Sequence, residues 1–211
     1  MKILCISDKI DPLIYSDNIK KRYKDIDLII SAGDLNYKYH EYIISSLNKE
    51  LLYVHGNHDR HEARVRKFNE PYHGQLLDGK VVYLKKFDLI VAGLGGSMHY
   101  NDGEYQYSEK EMKHQISKIT SKLLYNKIKY GRYLDILVTH ASPLGIHDIS
   151  HDLCHTGFDC FNSFMDVFSP AYLLHGHMHL TDFNQRPITT YANTKIINVY
   201  QSYILEINKN V

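Results

Sequence analysis

Aspartate, asparagine and histidine follow five short apolar runs of this 211-residue chain, at the points where strands would end. The polar stretches are Ser7-Asp8, Gly33-Asp34, His55-Gly56-Asn57-His58-Asp59, His140 and His175-Gly176-His177-Met178-His179. Taken singly, such residues are ordinary caps, turns or hydrogen-bonded histidines. Because ligands gather beyond the carboxyl ends of parallel strands, five strand ends with carboxylate, amide or imidazole groups favour one shared site.

These side chains have the chemistry of a divalent metal site. Carboxylate, amide oxygen and imidazole suit borderline to hard ions, so Mn, Fe, Zn, Ni or Co fits better than a thiolate-selected soft ion. His177 and His179 are two residues apart, which on extended backbone places both side chains on one side. Two ions about 3.5–4 Å apart, bridged by a carboxylate, can clamp the oxygens of a phosphoryl transfer and generate a hydroxide at neutral pH.

The elements that must position these residues alternate between strands and helices. Helical periodicity predicts helices at 37–48, 108–129 and 157–168, and Ser108 with Glu111 has the form of a capping box. Strands are predicted at 2–6, 27–31, 50–54, 81–84, 89–94, 134–139, 171–175, 195–199 and 202–207. The early strand-helix-strand order implies parallel pairing, the strands within 187–207 look antiparallel, and one α/β domain over 1–211 accounts for the pattern.

Composition excludes several functional classes. The net charge is +1 and the longest basic cluster, Lys20-Lys21-Arg22, is typical of a solvated helix face, so a nucleic-acid partner is not expected. Three cysteines without a C-x-x-C pair predict free thiols in a reducing compartment. No signal peptide or long apolar stretch is present, so we expect a cytoplasmic protein without a membrane partner. The sequence is compatible with a homo-oligomer.

The order of these motifs resembles the calcineurin-like metallophosphoesterase superfamily. The resemblance rests on GD at 33–34, GNHD at 56–59 and GHMH at 176–179, and it covers nearly the whole chain. THASPLGIHD at 139–148 and GLGGSMHYNDGEYQY at 93–107 are similar to segments of small single-domain bacterial members. The resemblance implies an α/β fold, a four-layer αββα sandwich in which two mixed β-sheets lie face to face, flanked by helices.

The resemblance also implies roles for particular residues. The first ion would bind Asp8, Asp34 and His179, and the second would bind Asp34, Asn57, His140 and His177, with Asp34 as the bridge. His58 would be the general acid that protonates the leaving alkoxide, a contribution of about 10²–10⁴ in rate. The predicted function is hydrolysis of a small phosphodiester or phosphomonoester by a metal-bound hydroxide.

The chain departs from the family pattern at Ile10. The family has histidine two residues after its first aspartate, and isoleucine cannot coordinate a metal. The first ion is therefore one ligand short, with water, Asp11 or a loop residue as substitutes. We expect a weaker or more exchangeable first ion, or a changed metal selectivity.

Several other histidines have weaker functional interpretations. We expect His55 and His175 to lie just inside the strand ends and to support their neighbours, while Asp59 caps or orients its turn. His99 and Asn101 either touch the substrate or belong to a surface loop. His147 and Asp148 either brace His140 or border the pocket, and His151 and His155 are candidates for the same roles.

Two other functions remain open at this stage. A protein-interaction scaffold of the same fold would be expected to lose its catalytic acid, whereas this chain keeps His58 and six ligand positions. A nuclease of the superfamily would be expected to carry an added DNA-binding domain and a basic track, for which this chain has neither room nor charge. An enzyme that acts on a small soluble phosphoester is the favoured interpretation.

Overall fold

The computed structural model, which describes residues 1–59, 73–149, 151–182 and 186–208, is built around two large mixed β-sheets. The strands, numbered in chain order, are β1 (Lys2–Ser7), β2 (Leu28–Ser31), β3 (Leu51–Tyr53), β4 (Gln75–Leu76), β5 (Lys80–Leu84), β6 (Leu89–Leu94), β7 (Ser97–Met98), β8 (Gln106–Tyr107), β9 (Ile136–Thr139), β10 (Tyr172–His175), β11 (Ile188–Tyr191), β12 (Thr194–Asn198) and β13 (Gln201–Glu206). The helices are α1 (Ile19–Arg22), α2 (Tyr37–Leu47), α3 (Glu109–Tyr130) and α4 (Asp159–Phe168), and two 3₁₀ turns span Lys85–Phe87 and Leu153–His155.

The order of the strands brings their carboxyl ends together. The first sheet has the order β13-β1-β2-β3-β4, and only β13 runs antiparallel to its neighbour. The second has the order β11-β12-β10-β9-β6-β5, with the inner four strands parallel and the two edge strands antiparallel. Each sheet therefore ends its parallel strands along one edge, where a shared site can form.

Apolar side chains form three layers. The layer between the sheets includes Ile3, Ile30 and Leu52 from the first sheet and Val91 and Leu174 from the second. A second layer lies between the first sheet and α1 and α2, and a third lies between the second sheet and α3 and α4. The predicted four-layer αββα sandwich is therefore confirmed. No helix within the described ranges is both long and apolar enough to cross a membrane.

The predicted helices are found with small shifts at their ends. Ser108 forms the expected capping box with Glu111, and Gly131 ends α3 in a left-handed conformation with φ of 76°. Helix α4 begins at Asp159, two residues after the predicted start. The described strands also include the two-residue β4, β7 and β8, which are too short to leave a periodic pattern in the sequence.

The expectation for the final strands is only partly correct. Strands β11 and β12 are antiparallel, as predicted. However, β12 is parallel to β10, and β13 crosses to the other sheet, where it is antiparallel to β1. Short connections between apolar runs predict neighbours within one sheet, but they do not reveal that a chain changes sheets, since either sheet can bury the same side chains.

Candidate metal centre

The predicted ligands follow strands of both sheets and lie close together. Asp8 follows β1 of the first sheet, and its carboxylate accepts hydrogen bonds of 3.0 and 3.1 Å from the backbone N–H of His177, which follows β10 of the second sheet. Asp34 follows β2, and its Oδ2 lies 3.2 Å from Nε2 of His140, which follows β9. Residues 8, 34, 140 and 177 therefore meet across the two sheets, as the strand-end pattern predicts.

The backbone turns sharply at three of these positions. Asp8, Asp34 and His177 have φ values of 62°, 58° and 64°, in the left-handed region that costs a residue other than glycine about 1–3 kcal/mol. The glycine of GHMH is explained by close packing, because a Cβ atom on Gly176 would lie 2.5 Å from Oδ2 of Asp8. Left-handed backbone and close approach therefore both occur at the centre.

The most buried part of the candidate metal centre consists of Asp34, Asn57 and His140. Nδ1 of His140 lies 2.7 Å from the carbonyl oxygen of Ala32, so this nitrogen carries a proton and donates it. Nε2 then faces two acceptors, Oδ1 of Asn57 at 2.9 Å and Oδ2 of Asp34 at 3.2 Å. An imidazole nitrogen, an amide oxygen and a carboxylate oxygen converge here in a buried place, so a cation among them is needed, either a proton or a metal ion.

The charges of this group shift its pKa values in opposite directions. Burial disfavours a charged His140, but Asp34 outweighs burial and raises the pKa of His140 to about 9. Burial also disfavours a charged Asp34, but the positive charge of His140 and its hydrogen bond hold the pKa of Asp34 at about 2. The carboxylate is therefore ionised at neutral pH, as a metal ligand must be.

The imidazole of His177 completes this group. Its Nε2 lies 2.6 Å from the carbonyl oxygen of Cys154, which leaves Nδ1 without the proton in the neutral ring. Burial, and then the charge of His140, lower the pKa of His177 to about 3, so the ring is in the neutral form that binds metals. Ligand atoms of Asp34, His140 and His177 lie within 4.8 Å of one another. These donors fit a divalent ion.

The predicted site of the first ion is more open. The side chain of Asp8 is 1% exposed, and burial raises its pKa. The side chain of His179 is 67% exposed; its Nε2 lies 3.8 Å from Oδ1 of Asp8, and its ring packs 4.9 Å from that of Tyr200. Ile10 is 37% exposed. Asp8 and His179 are brought together, but the side lacking a histidine ligand is also the side that solvent reaches.

Asp11 does not supply the missing ligand. One carboxylate oxygen accepts a hydrogen bond of 2.8 Å from the N–H of Leu13, and the other accepts one from the hydroxyl of Ser202. Its own N–H donates to the hydroxyl of Tyr39. Asp11 therefore stabilises the turn after β1 and ties it to β13, and the interpretation of this carboxylate as a substitute ligand is wrong.

The turn after β3 holds His58 and Asp59. The side chain of Asp59 accepts hydrogen bonds from the N–H groups of Gly56, at 2.8 Å, and Asp34, at 3.0 Å, so it orients the turn as expected. Burial, together with the nearby charge of Asp34, raises the pKa of Asp59 to about 6. His58 donates its backbone N–H to Oδ1 of Asp34 at 2.8 Å while the residue is exposed. This residue is anchored at the centre, with its side chain open to a substrate.

Two of the supporting histidines have defined partners. Nδ1 of His55 lies 2.6 Å from Oδ2 of Asp78, and its ring stacks on Tyr105 at 4.1 Å. His175 is buried, and its Nε2 lies 2.9 Å from Nδ1 of His147. Of the two alternatives for His147, bracing of His140 is therefore wrong, because His147 braces His175.

Other loop candidates serve the loops themselves. Asp148 accepts hydrogen bonds from the N–H groups of Gly145 and Gly157. Asn101 accepts hydrogen bonds from Gly103 and Gln106. Their oxygens therefore order the loops.

The structure adds two residues that the sequence interpretation missed. Nδ2 of Asn57 donates to the hydroxyl of Tyr100 at 2.9 Å, which points Oδ1 of Asn57 at His140. Cys154 receives the hydrogen bond from His177 through its backbone. The position of Tyr100 between the candidates His99 and Asn101 was the only signal of its role.

Comparison with known proteins gives a family and a fold. The family model described as calcineurin-like phosphoesterase matches residues 1–180. One crystal structure superposes with a TM-score of 0.65 at 16% identity, over 97% of this chain and 94% of the other. The protein TT1561 of Thermus thermophilus gives a TM-score of 0.64 at 14% identity, over 94% of this chain and 88% of the other.

A more distant structure is GAP50, described as the anchor in the inner membrane complex of Plasmodium, with a TM-score of 0.53 at 12% identity, over 94% of this chain and 70% of the other. No curated protein matches the sequence. Identities this low establish the fold alone, whereas the family model covers most of the chain. The chain belongs to the calcineurin-like phosphoesterase family, and the general activity that this membership supports is metal-dependent hydrolysis of phosphoesters.

Proposed function

We propose that this protein hydrolyses a small phosphodiester or phosphomonoester, with His58 as the general acid. The residues proposed to hold two divalent ions are Asp8, Asp34, Asn57, His140, His177 and His179. The observation that carries the proposal is the convergence of Asp34, Asn57 and His140, which come from three different strand ends. The nitrogen and oxygen donors there suit Mn, Fe, Zn, Ni or Co.

Divalent ions held at these residues would polarise the phosphoryl oxygens and lower the pKa of a water molecule towards about 7, which supplies a nucleophile at neutral pH. The protein supplies orientation. Ala32 fixes the tautomer of His140, and Tyr100 fixes the amide of Asn57. Such outer contacts typically change metal affinity or activity by about 10–100-fold.

His58 is suited to proton donation by its position. Its backbone is held by Asp34, and its side chain is exposed beside the ionised carboxylate. A protonated imidazole in this position can give a departing alkoxide the proton that it needs. Asn57 and Asp59 on either side are engaged by the protein, which leaves His58 as the residue of this turn that is open to a substrate.

The experiment compares wild type with His58→Ala on phosphodiesters and phosphomonoesters with Mn added. Each substrate is made with an alkyl and a nitrophenyl leaving group. Loss of a general acid should slow the alkyl esters by about 10²–10⁴ and the nitrophenyl esters much less, because nitrophenolate leaves without a proton. Metal content should stay unchanged. His114→Ala, which removes an exposed histidine on α3, is the matched control and should retain full activity.

The possible results separate the proposals. An equal loss on both leaving groups would show that His58 positions the substrate and is not the acid. An unchanged rate in His58→Ala would remove the residue from the mechanism. No turnover of any ester by metal-loaded wild type would favour the scaffold interpretation instead.

A further inference from the structure

A second group of donors lies beside the centre described above. Cys154, His155 and His177 each present one ligand atom, and these atoms lie within 4.8 Å of one another. We propose that Cys154, His155 and His177 form a thiolate-containing site that binds Zn²⁺ or a similar borderline ion. Cys154 and His155 are outside the residues proposed for hydrolysis, whereas His177 is shared with them.

The spacing of the three donors is close to that of a metal site. With zinc–ligand bonds of about 2.0–2.3 Å, tetrahedral ligands lie roughly 3.3–3.8 Å apart. The three donor atoms, within 4.8 Å of one another, must therefore approach by no more than about 1.5 Å, which side-chain rotation can supply. Cys154 and His155 are both half-buried, so an ion can reach them from solvent.

Asp152 prepares His155 for this role. Oδ2 of Asp152 lies 2.6 Å from Nδ1 of His155, so Nδ1 carries the proton and Nε2 is left as the donor. A histidine that ligates a metal commonly donates its other ring N–H to a carboxylate in this way. Oδ1 of Asp152 also accepts a hydrogen bond of 3.1 Å from the N–H of Cys154, so one side chain orders the turn that carries both donors.

The shared residue determines how the two groups relate. His177 belongs to both, and its ring packs 4.8 Å from that of His140 and 5.2 Å from that of His155. Because Nε2 of His177 donates to the carbonyl oxygen of Cys154, Nδ1 is the one metal donor of the neutral ring, so His177 can bind an ion of one group at a time. The Asp34 group contains carboxylate and amide oxygens, whereas this one contains sulfur and nitrogen. Thiolate and imidazole prefer zinc over magnesium, so the two groups should differ in selectivity.

Alkylation of Cys154 tests the site directly. Wild-type protein is treated with iodoacetamide in the presence of Zn²⁺, Mg²⁺ or no metal, and modification of each cysteine is followed by peptide mass spectrometry. Zn²⁺ should slow the alkylation of Cys154 by about tenfold or more, because a coordinated thiolate is not a free nucleophile. Mg²⁺ should have no effect. Cys5 and Cys160 are buried and report any general unfolding.

Two variants complete the test. His155→Gln keeps the thiol but should lose the protection by Zn²⁺, whereas His151→Gln, an exposed histidine in the same turn, should retain it. No protection in wild type, equal protection by Mg²⁺, or full protection in His155→Gln would overturn the proposal. Should His155→Gln fail to fold, the absorption spectrum of the Co²⁺-loaded protein tests the proposal instead. The thiolate-to-metal band must be present in wild type and absent in Cys154→Ser.

Discussion

Two buried histidines, His40 and His140, have opposite electrostatic surroundings. His40 lies on α2 behind the first sheet, 3% exposed, with its Nε2 3.0 Å from the hydroxyl of Ser31. Burial lowers the pKa of His40 to about 3. His140 is 0% exposed, yet Asp34 and Asp8 outweigh burial and raise its pKa to about 9. Burial gives a neutral structural imidazole at His40, whereas the ionised carboxylate of Asp34 creates a place for a cation beside His140.

Removing the bridging carboxylate should have the largest effect. In Asp34→Asn, His140 loses the negative charge that distinguishes it from His40. We expect metal content to fall and hydrolysis to decrease by more than about 10²-fold, since loss of even an outer partner typically costs about 10–100-fold. Metal analysis and steady-state rates measure both. Asp88→Asn, at a carboxylate on the surface that is paired with Arg132, should change neither. Unchanged metal content in Asp34→Asn would contradict the assignment.

Substituting each histidine in turn tests the comparison itself. His140→Gln should weaken metal binding by roughly 10²-fold or more, because it removes a proposed ligand whose outer contacts alone are worth about 10–100-fold. His40→Gln should leave metal binding intact and lower the free energy of unfolding by about 1–3 kcal/mol, since it disturbs a buried hydrogen bond. Isothermal titration calorimetry and urea unfolding measure the two quantities. The comparison fails if both variants lose metal to the same extent.

The contact between Tyr100 and Asn57 should have an intermediate effect. Tyr100→Phe removes the hydroxyl that accepts Nδ2 of Asn57 at 2.9 Å, so the amide can turn its oxygen away from His140. We expect metal affinity to fall by about tenfold, the lower end of the range for outer contacts. Tyr125→Phe, on the exposed face of α3, is the control. An affinity equal to that of wild type would show that His140 alone orients Asn57.

Adding a ligand at the open side should have a smaller effect of opposite sign. Ile10→His restores the residue type that the family pattern has there, close to Asp8. We expect retention of the first ion to improve by up to about tenfold, since the new imidazole competes with water for one position. Leu13→His, at another exposed position of the same loop, should not change retention. Two tight stoichiometric ions in wild type, unchanged in Ile10→His, would show that no ligand is missing.

Much of this centre was predictable because local sequence determines where strands end. The positions of Asp8, Asp34 and His140 followed from apolar runs and from the rule that ligands collect at the carboxyl ends of strands. The role of Tyr100 did not, because its contact with Asn57 spans 43 residues and rests on the path of a loop. The engagement of Asp11 was not predictable for the same reason, because its partner Ser202 is 191 residues away. Pairings between distant segments leave no periodic trace in the chain.

The pH dependence of the free energy of unfolding should reveal the contribution of His40. Because the pKa of His40 is lowered from 6.5 to about 3 in the folded state, the unfolded chain binds the proton more readily between these values. Stability contributed by neutral His40 is complete above about pH 6.5 and declines as the pH falls towards 3, by at most about 1.4 kcal/mol per pH unit for one proton. The pKa values of His147 and His175 are also lowered, so their contributions to stability decline as the pH falls in the same way. The difference in stability between wild type and His40→Gln therefore isolates the contribution of His40. Urea unfolding between pH 7 and pH 5 should show the variant losing stability less steeply than wild type. Parallel curves of stability against pH would mean that His40 is solvated in the folded protein. The contrast between His40 and His140 would then lie in exposure and not in charge.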